Sequence, residues 1–277
     1  NRIKYGVGYE QKKDIFVVDN NSQDGSQKEL AKIKGITLIL NRLNLGFCEA
    51  NNLAIKKAID NKSDYILLLN NDTVVSSNFF INIIKNIEKA EIISPKIYFE
   101  KNFEFHKGRY KINELGKVIW YAGGRIDWQN IIGNHIGVDE VDMGQFDKSR
   151  YIEFATCACI LIKREVLEKI GLLDERYFLY LEDMDFCVRA KRNGFRIYFE
   201  PKSIIWHKNA GSSASGSNLQ NYFFTRNRLL FGFKFAKLRT KMALIREAIR
   251  NIFNSTKRQA FFDFLTKNYK GGSFITR

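Results

Sequence analysis

The chain has 277 residues, 45% hydrophobic and 14% aromatic, with a formal net charge of +15; that length and apolar content suffice for a large core and exclude a disordered chain. Cys48, Cys157, Cys159 and Cys187 show neither CxxC nor paired metal spacing, so no disulfide scaffold is expected and a reducing, cytoplasmic setting is. No apolar run reaches the length of a membrane span, and the first residues, NRIKYGVGYEQKKD, lack signal-peptide character.

Asp14 to Asp19 (DIFVVD) reads as a strand that ends in the polar cluster NNSQDGS, with Asp24-Gly25 as the turn signal. Gln27 to Lys34 reads as a helix, Ile36 to Leu40 as a strand and, after the loop NRLNLGF, Glu49 to Asp60 as a helix. Asp64 to Leu69 (DYILLL) is apolar enough to predict a strand buried on both faces, and it stops at Asn70-Asn71-Asp72. Ser77 to Ala90 has helical spacing, with Phe80, Ile83, Ile84 and Ile87 on one side, and Ile92-Ile93 opens another strand. Tyr98 to Arg150 shows no clear period and reads as short strands and loops, in which His106 and His135 are structural or surface residues. Ile152 to Lys163 returns to strand, and Arg164 to Ile170 is a short helix closed by Gly171.

Strands alternating with helices predict an α/β fold with a mostly parallel sheet, whose ligands bind beyond the C-terminal strand ends, where Asp19 and Asp72 fall. The stretch from Arg176 to Lys208 is the densest in chemistry. Glu182, Asp183 and Asp185 sit where an apolar run gives way to helix spacing that stops at Gly194. Acids at a helix start cap free N–H groups, and Asp185 can pair with Arg189 one turn on. A third carboxylate is harder to account for in that way, because adjacent like charges raise one another's pKa, the unevenness a general base uses.

Asp72 can give a hard divalent cation its carboxylate oxygen, or merely end a turn. His207 closes the strand-like run IIWH and can add an imidazole nitrogen, a set that suits Mn²⁺ at least as well as Mg²⁺, or it can be a hydrogen-bonded structural residue. Asp19 can accept from a base or ribose, or cap the turn after it. Asn44 and Gly46 allow a tight loop with exposed backbone N–H groups, and Arg42 and Arg226 can face phosphate. The Gly/Ser/Asn run 209–218 reads as a mobile loop of the kind that forms lids. Leu238, Met242, Ile245, Ile249 and Ile252 then recur at helical steps, flanked by Lys and Arg. Residues 226–277 hold thirteen Lys/Arg against Glu247 and Asp263, so the basicity belongs to this amphipathic helical extension, which either lies on an anionic membrane surface or packs its apolar face on the domain with its charges solvated, while no nucleic-acid motif is present.

In order, VVDNNSQDGS, NLGFCEANN, LLLNNDT, TCACILIKREVLEKIGLLDERYFLYLEDMDFCVRAKRNGFRI, IIWH and YFFTRNRLLF resemble the inverting nucleotide-sugar glycosyltransferases of family 2, which have the GT-A fold. With WYAGG they are similar to bacterial rhamnosyltransferases and related enzymes of cell-surface polysaccharide synthesis. The resemblance implies a glycosyltransferase domain over residues 1–225. It implies a nucleoside-diphosphate sugar donor, dTDP- or UDP-linked, a glycan or lipid-linked acceptor, and Mn²⁺ or Mg²⁺. Asp183, in Glu182-Asp183, matches the catalytic base, Asp72 the last acid of the metal-binding DxD, and His207 a histidine that completes that site. Asp19 matches the acid at the nucleotide base, with Asn20, Asn44, Gly46, Asn51 and Asn71 on the donor side and Arg226 near the diphosphate. NND in place of DxD leaves more of the metal to His207, and the chain is expected to lack the family's usual first strand and helix. A module that binds nucleotide-sugar or membrane surfaces without turnover is the alternative; a sugar-phosphate nucleotidyltransferase would want a Gly-rich basic loop that is not seen.

Overall fold

The computed structural model describes residues 13–106, 108–208 and 217–275, with the backbone of two further short strands near the start. Those two, β1 (Ile3–Tyr5) and β2 (Tyr9–Gln11), form an antiparallel pair. Next come β3 (Phe16–Asp19), α1 (Ser26–Leu30), β4 (Thr37–Leu40), α2 (Gly46–Asp60), β5 (Tyr65–Leu69), β6 (Thr73–Val75) and α3 (Phe79–Ile84). The middle supplies β7 (Ile92–Phe99), β8 (Ile119–Tyr121), β9 (Gly124–Asp127), β10 (Ile132–His135) and β11 (Arg150–Tyr151). The remainder is β12 (Cys159–Lys163), α4 (Arg164–Ile170), α5 (Glu182–Arg192), β13 (Ile197–His207), α6 (Asn218–Phe235), α7 (Leu238–Arg250) and α8 (Ser255–Leu265).

A seven-stranded sheet runs in the order β11-β13-β7-β12-β5, with β6 on β13 and β8 on β7. It is mixed. The long strands β5, β7 and β13 all run one way, because β12 is antiparallel to both β5 and β7 while β7 and β13 are parallel. The short strands β6, β8 and β11 run against their partners. β3 and β4 pair in parallel as a separate two-stranded sheet, and α2 packs on both β3 and β5.

β5 departs from the expectation of burial on both faces. Ile66 and Leu68 are buried but Tyr65 and Leu69 are exposed, since β5 is the end strand of its sheet and α2 covers one face only. The helix expected from Ser77 to Ala90 is limited to the six residues of α3. Its asparagines divert from helix continuation: Asn82 Nδ2 donates to Lys202 O at 2.6 Å, and Asn86 Nδ2 donates to Glu200.

The expected boundary after residue 225 falls inside α6, whose Tyr222, Phe223, Leu229, Leu230 and Phe231 are buried. The C-terminal helices therefore begin within the domain, and Leu244 and Ala248 of α7 and Phe261 of α8 join the main core. Of the run expected to form a lid, residues 209–216 lie outside the described residues; Ser217 caps α6 by accepting from Gln220 N at 3.2 Å.

Candidate active site

Strand register brings Asp72 and His207 together. Thr73 of β6 pairs with His207 at the end of β13, and Lys208 N donates to Asp72 O at 2.9 Å. The Asp72 carboxylate thereby reaches 3.0 Å from His207 Nε2. The histidine contact is its main stabiliser and holds the carboxyl below the usual carboxylate range. His207 is buried, yet neither ring nitrogen completes a well-aligned hydrogen bond. A buried imidazole that meets a half-exposed carboxylate without a well-aligned hydrogen bond fits a divalent cation, with one nitrogen and one oxygen donor side by side. No third His, Cys, Asp or Glu joins them among the described residues, so water and substrate oxygens complete such a shell. Trp120 packs edge-on against both His207 and His135, with ring centroids 4.7 and 4.6 Å away. Burial pulls His135 down to about 4, which keeps it neutral.

The second centre starts α5. Asp185 is fully buried and neutralised by Arg189 Nε at 2.7 Å and by Lys234, with Tyr177 Oη donating at 3.0 Å. The pairing expected one turn on is thus present, and it makes Asp185 structural. Glu182 and Asp183 differ: among the described residues neither has an ion pair, and Glu182 Oε2 is buried with no hydrogen-bond partner. Burial raises both carboxyls. For Glu182 the neighbouring Asp183 charge adds to the rise, whereas Met184 N, which donates to Asp183 Oδ1 at 2.8 Å, with Cys157 and Thr156, opposes it at Asp183. Asp183 therefore ionises before Glu182. Environments that push two acids apart in this way define a base and its neutral neighbour.

The chain entering α5 is strained. Phe178, Tyr180 and Leu181 have φ of 63°, 71° and 66°, a region that costs bulky residues on the order of 1–3 kcal/mol each. Asn227 of α6 offsets this: its Nδ2 donates to the carbonyls of Tyr177, Leu179 and Tyr180 at 2.9, 2.7 and 2.9 Å. Arg226 Nη2 donates to Arg176 O at 3.0 Å and Tyr177 O at 2.9 Å, and its Nη1 donates to Lys270 O at 2.6 Å. The expectation that Arg226 faces a diphosphate is thereby corrected. The residue is fully buried and its donors are taken up by main-chain carbonyls. Asn227, which sequence reasoning passed over, is the residue holding the loop; its only sequence signal is adjacency to Arg226 in the TRNR run.

On the donor side, Asn20 Oδ1 accepts from Asn41 Nδ2 at 3.1 Å and Leu45 N at 3.0 Å, and Asn20 Nδ2 donates to Asn44 Oδ1 at 2.8 Å. Asn44 Oδ1 also accepts Gly46 N at 3.0 Å, and Phe47 N donates to Phe178 O at 2.7 Å. The loop's N–H groups, expected to be free for phosphate, are thus already bonded within the protein. Gly46 serves packing: φ is +80°, and a Cβ there would lie 2.3 Å from Phe178 Cδ2. Burial alone would raise Asp19, but hydrogen bonds from Ser22 N (3.1 Å) and Gln27 Nε2 (2.7 Å) outweigh it and hold the carboxyl low. Asn51 Nδ2 bonds Phe47 O at 2.8 Å inside α2, and Asn71 and Arg42 are exposed.

A series of short contacts links these groups. Asn20 Nδ2 reaches Gly46 O at 3.3 Å, and Gly46-Phe47 abut Phe178, four residues before Glu182. Thr156 and Cys157 touch Asp183, and the next residue, Ala158, accepts Asn70 N at 2.9 Å, two residues before Asp72.

Residues 4–171 match the model of a family described as glycosyl transferase family 2. The chain belongs to glycosyltransferase family 2. The family match ends before Glu182, so the reading of that pair rests on its geometry. Among family 2 relatives, the low-salt glycan biosynthesis hexosyltransferase Agl10 of Haloferax volcanii is 25% identical over 219 residues, covering 78% of this chain and 66% of the relative. The dTDP-rhamnosyl transferase RfbF of Shigella flexneri is 24% identical over 227 residues, covering 78% and 69%. The solved structure of GalNAc-T7 with UDP, GalNAc and Mn²⁺ superposes with a TM-score of 0.55 at 15% identity, over 93% of this chain and 52% of that one. That likeness shows the GT-A fold. The chain thus spans about two thirds of the two curated relatives and about half of the solved one.

Proposed function

We propose that this family 2 chain moves a sugar from a nucleoside-diphosphate donor to a hydroxyl of a glycan or lipid-linked acceptor, with inversion. The observation that carries the reading is the pair Glu182, buried, and Asp183, half-buried: two raised carboxyls without cations, at the end of a strained loop, beside a third acid that is fully neutralised. Asp183, the more readily ionised of the two, takes the proton of the acceptor hydroxyl. That oxygen bonds to the anomeric carbon from the face opposite the leaving group, the bond from this carbon to the diphosphate oxygen breaks, and the nucleoside diphosphate departs with the electron pair. Glu182, protonated, keeps a second negative charge out of the pocket.

A divalent cation, Mn²⁺ or Mg²⁺, held by Asp72 and His207, supplies charge neutralisation on the leaving diphosphate. Asp19 and Asn20 border the nucleoside end, where the ordered turn presents a fixed polar edge. Rhamnose on dTDP is the donor to try first, in keeping with the name of the Shigella relative, and UDP-hexoses are the comparison.

Calorimetric titration of dTDP and UDP, with and without Mn²⁺, tests the donor site on this chain and on Asp72→Ala. Metal-dependent binding lost in the variant is expected. Binding of neither nucleotide to the parent chain rejects the donor site, and binding without any donor hydrolysis or transfer identifies a non-catalytic binding module instead.

A further inference from the structure

Part of the apolar stripe of the helix α7 faces outward. Leu238, Met242 and Ile249 follow one another at helical steps and are 72%, 48% and 55% exposed, and Phe253 just beyond the helix is 95% exposed. Leu244 and Ala248, on a neighbouring face, are buried, and Ile245 and Ile252 are half-buried against the core. A helix stabilised solely by this domain would place its larger apolar residues inward. Arg239, Arg246 and Arg250 recur at steps of seven and four, which places them together along one flank of Leu238, Met242 and Ile249, and among the described residues none is in an ion pair. The one acid of the helix, Glu247, is turned away and bound by Arg228 Nη1 at 2.7 Å. An apolar stripe flanked by free cations complements an anionic lipid surface, whose headgroups take the arginines while its acyl boundary takes the stripe.

The neighbouring β9–β10 hairpin gives this face a direction. Thr240 Oγ1 donates to Trp128 O at 3.4 Å, and Arg228 Nη2 donates to Asn130 O at 2.7 Å, so the hairpin tip lies against α6 and α7. Trp128 and Ile132 are themselves partly exposed. One paired position back from that tip the hairpin meets α5: a Cβ on Gly133 would lie 2.7 Å from Met184 Sδ, one residue after Asp183. The tip region of one hairpin therefore touches both the apolar helix and the start of α5.

We propose that α7 and the β9–β10 tip dock on an anionic phospholipid bilayer. Resting on the function proposed above, this would bring the hydroxyl of a lipid-linked acceptor to Asp183 from the membrane side.

The test is co-sedimentation of the full chain with phosphatidylcholine vesicles, with and without phosphatidylglycerol, in the absence of any donor. Binding to the anionic vesicles is expected, weakening as salt rises. Met242→Glu/Ile249→Glu, on exposed positions and with an unchanged circular dichroism spectrum, is expected to weaken binding roughly tenfold or more, and Arg239→Ala/Arg246→Ala to remove most of the salt-dependent part. A chain that stays in the supernatant with anionic vesicles at low salt overturns the proposal. So does a Met242→Glu/Ile249→Glu variant that binds vesicles normally, including one that turns a dimer into a monomer, which would make the face an interface between copies. Because no turnover is read, failure here leaves the glycosyl-transfer reading intact; loss of transfer to a soluble acceptor leaves the docking face intact.

Discussion

Asp183 sits in the first turn of a helix, half-buried beside a second acid, whereas Asp72 lies at the start of the β6–β13 pairing and rests against an imidazole. The first carboxyl is raised by loss of water, the second lowered by its histidine. Surroundings, rather than residue type, thus divide the labour: a raised carboxyl accepts a proton near neutrality, and a lowered one stays charged as a cation ligand. Structural support differs in parallel. Asp72 is placed by sheet register alone, while Asp183 depends on a loop with three bulky residues at positive φ and on side chains from α6.

The sharpest way to break this division is Asp183→Asn. Turnover should fall by ~10²–10⁴, with donor affinity kept; loss of donor binding as well would place Asp183 on the other side of the comparison. Asp72→Ala should do the reverse. The Mn²⁺-dependent part of nucleotide affinity should drop by roughly 10–100-fold, measured by calorimetry, with metal-free binding unchanged. Asn227→Ala tests the loop support: three carbonyls lose a donor, so kcat should fall about tenfold and stability by about 2–4 kcal/mol, with KM for the donor little altered. A variant that loses stability but keeps kcat would show the loop to be scaffold only.

Glu182→Gln sharpens the electrostatics. Because Asp183 ionises while Glu182 is still protonated, Glu182→Gln should leave the acid limb of the pH–rate profile in place. The stability effect has a definite sign. Both carboxyls are raised on folding, so their contribution is fully present below the unfolded pKa and is lost as pH rises through the raised values. At neutral pH Glu182 is ionised in the unfolded chain and must take up a proton on folding, which weakens the fold, so Glu182→Gln should stabilise it by roughly 1–3 kcal/mol, read as a higher Tm at pH 7 and no change in acid. An unchanged Tm would deny the raised Glu182 carboxyl, and an acid limb that moves would mean that Asp183 ionises beside a charged Glu182.

Local signals carried well where the physics was local. The run DYILLL followed by NND, and IIWH, named two strand ends, and the register of β6 on β13 places them together. Asp185 with Arg189 was readable from helical spacing and is present. What the sequence withheld depends on long-range partners. Nothing near Arg226 announces that three carbonyls far along the chain accept its protons, and NLGF shows a tight loop without showing that Asn20, Asn44 and Phe178 take its N–H groups. The burial of β5 failed for a related reason: an apolar run records that a strand can be covered on both sides, and whether it is depends on which elements lie next to it. The orientation of α7 belongs to the same class, since a stripe at helical steps does not reveal the direction it faces.

Among the described residues, β3–β4 and β5 share no ladder; α2, packed on both, is what spans them. Two ladders joined by side-chain packing need not open together, and amide exchange in β3 and β4 should run through a partial opening that leaves β5, β7, β12 and β13 protected. A ligand holding Asp19 at one end and Asp72 at the other would tie the two units, so that its binding free energy is also a coupling free energy between them.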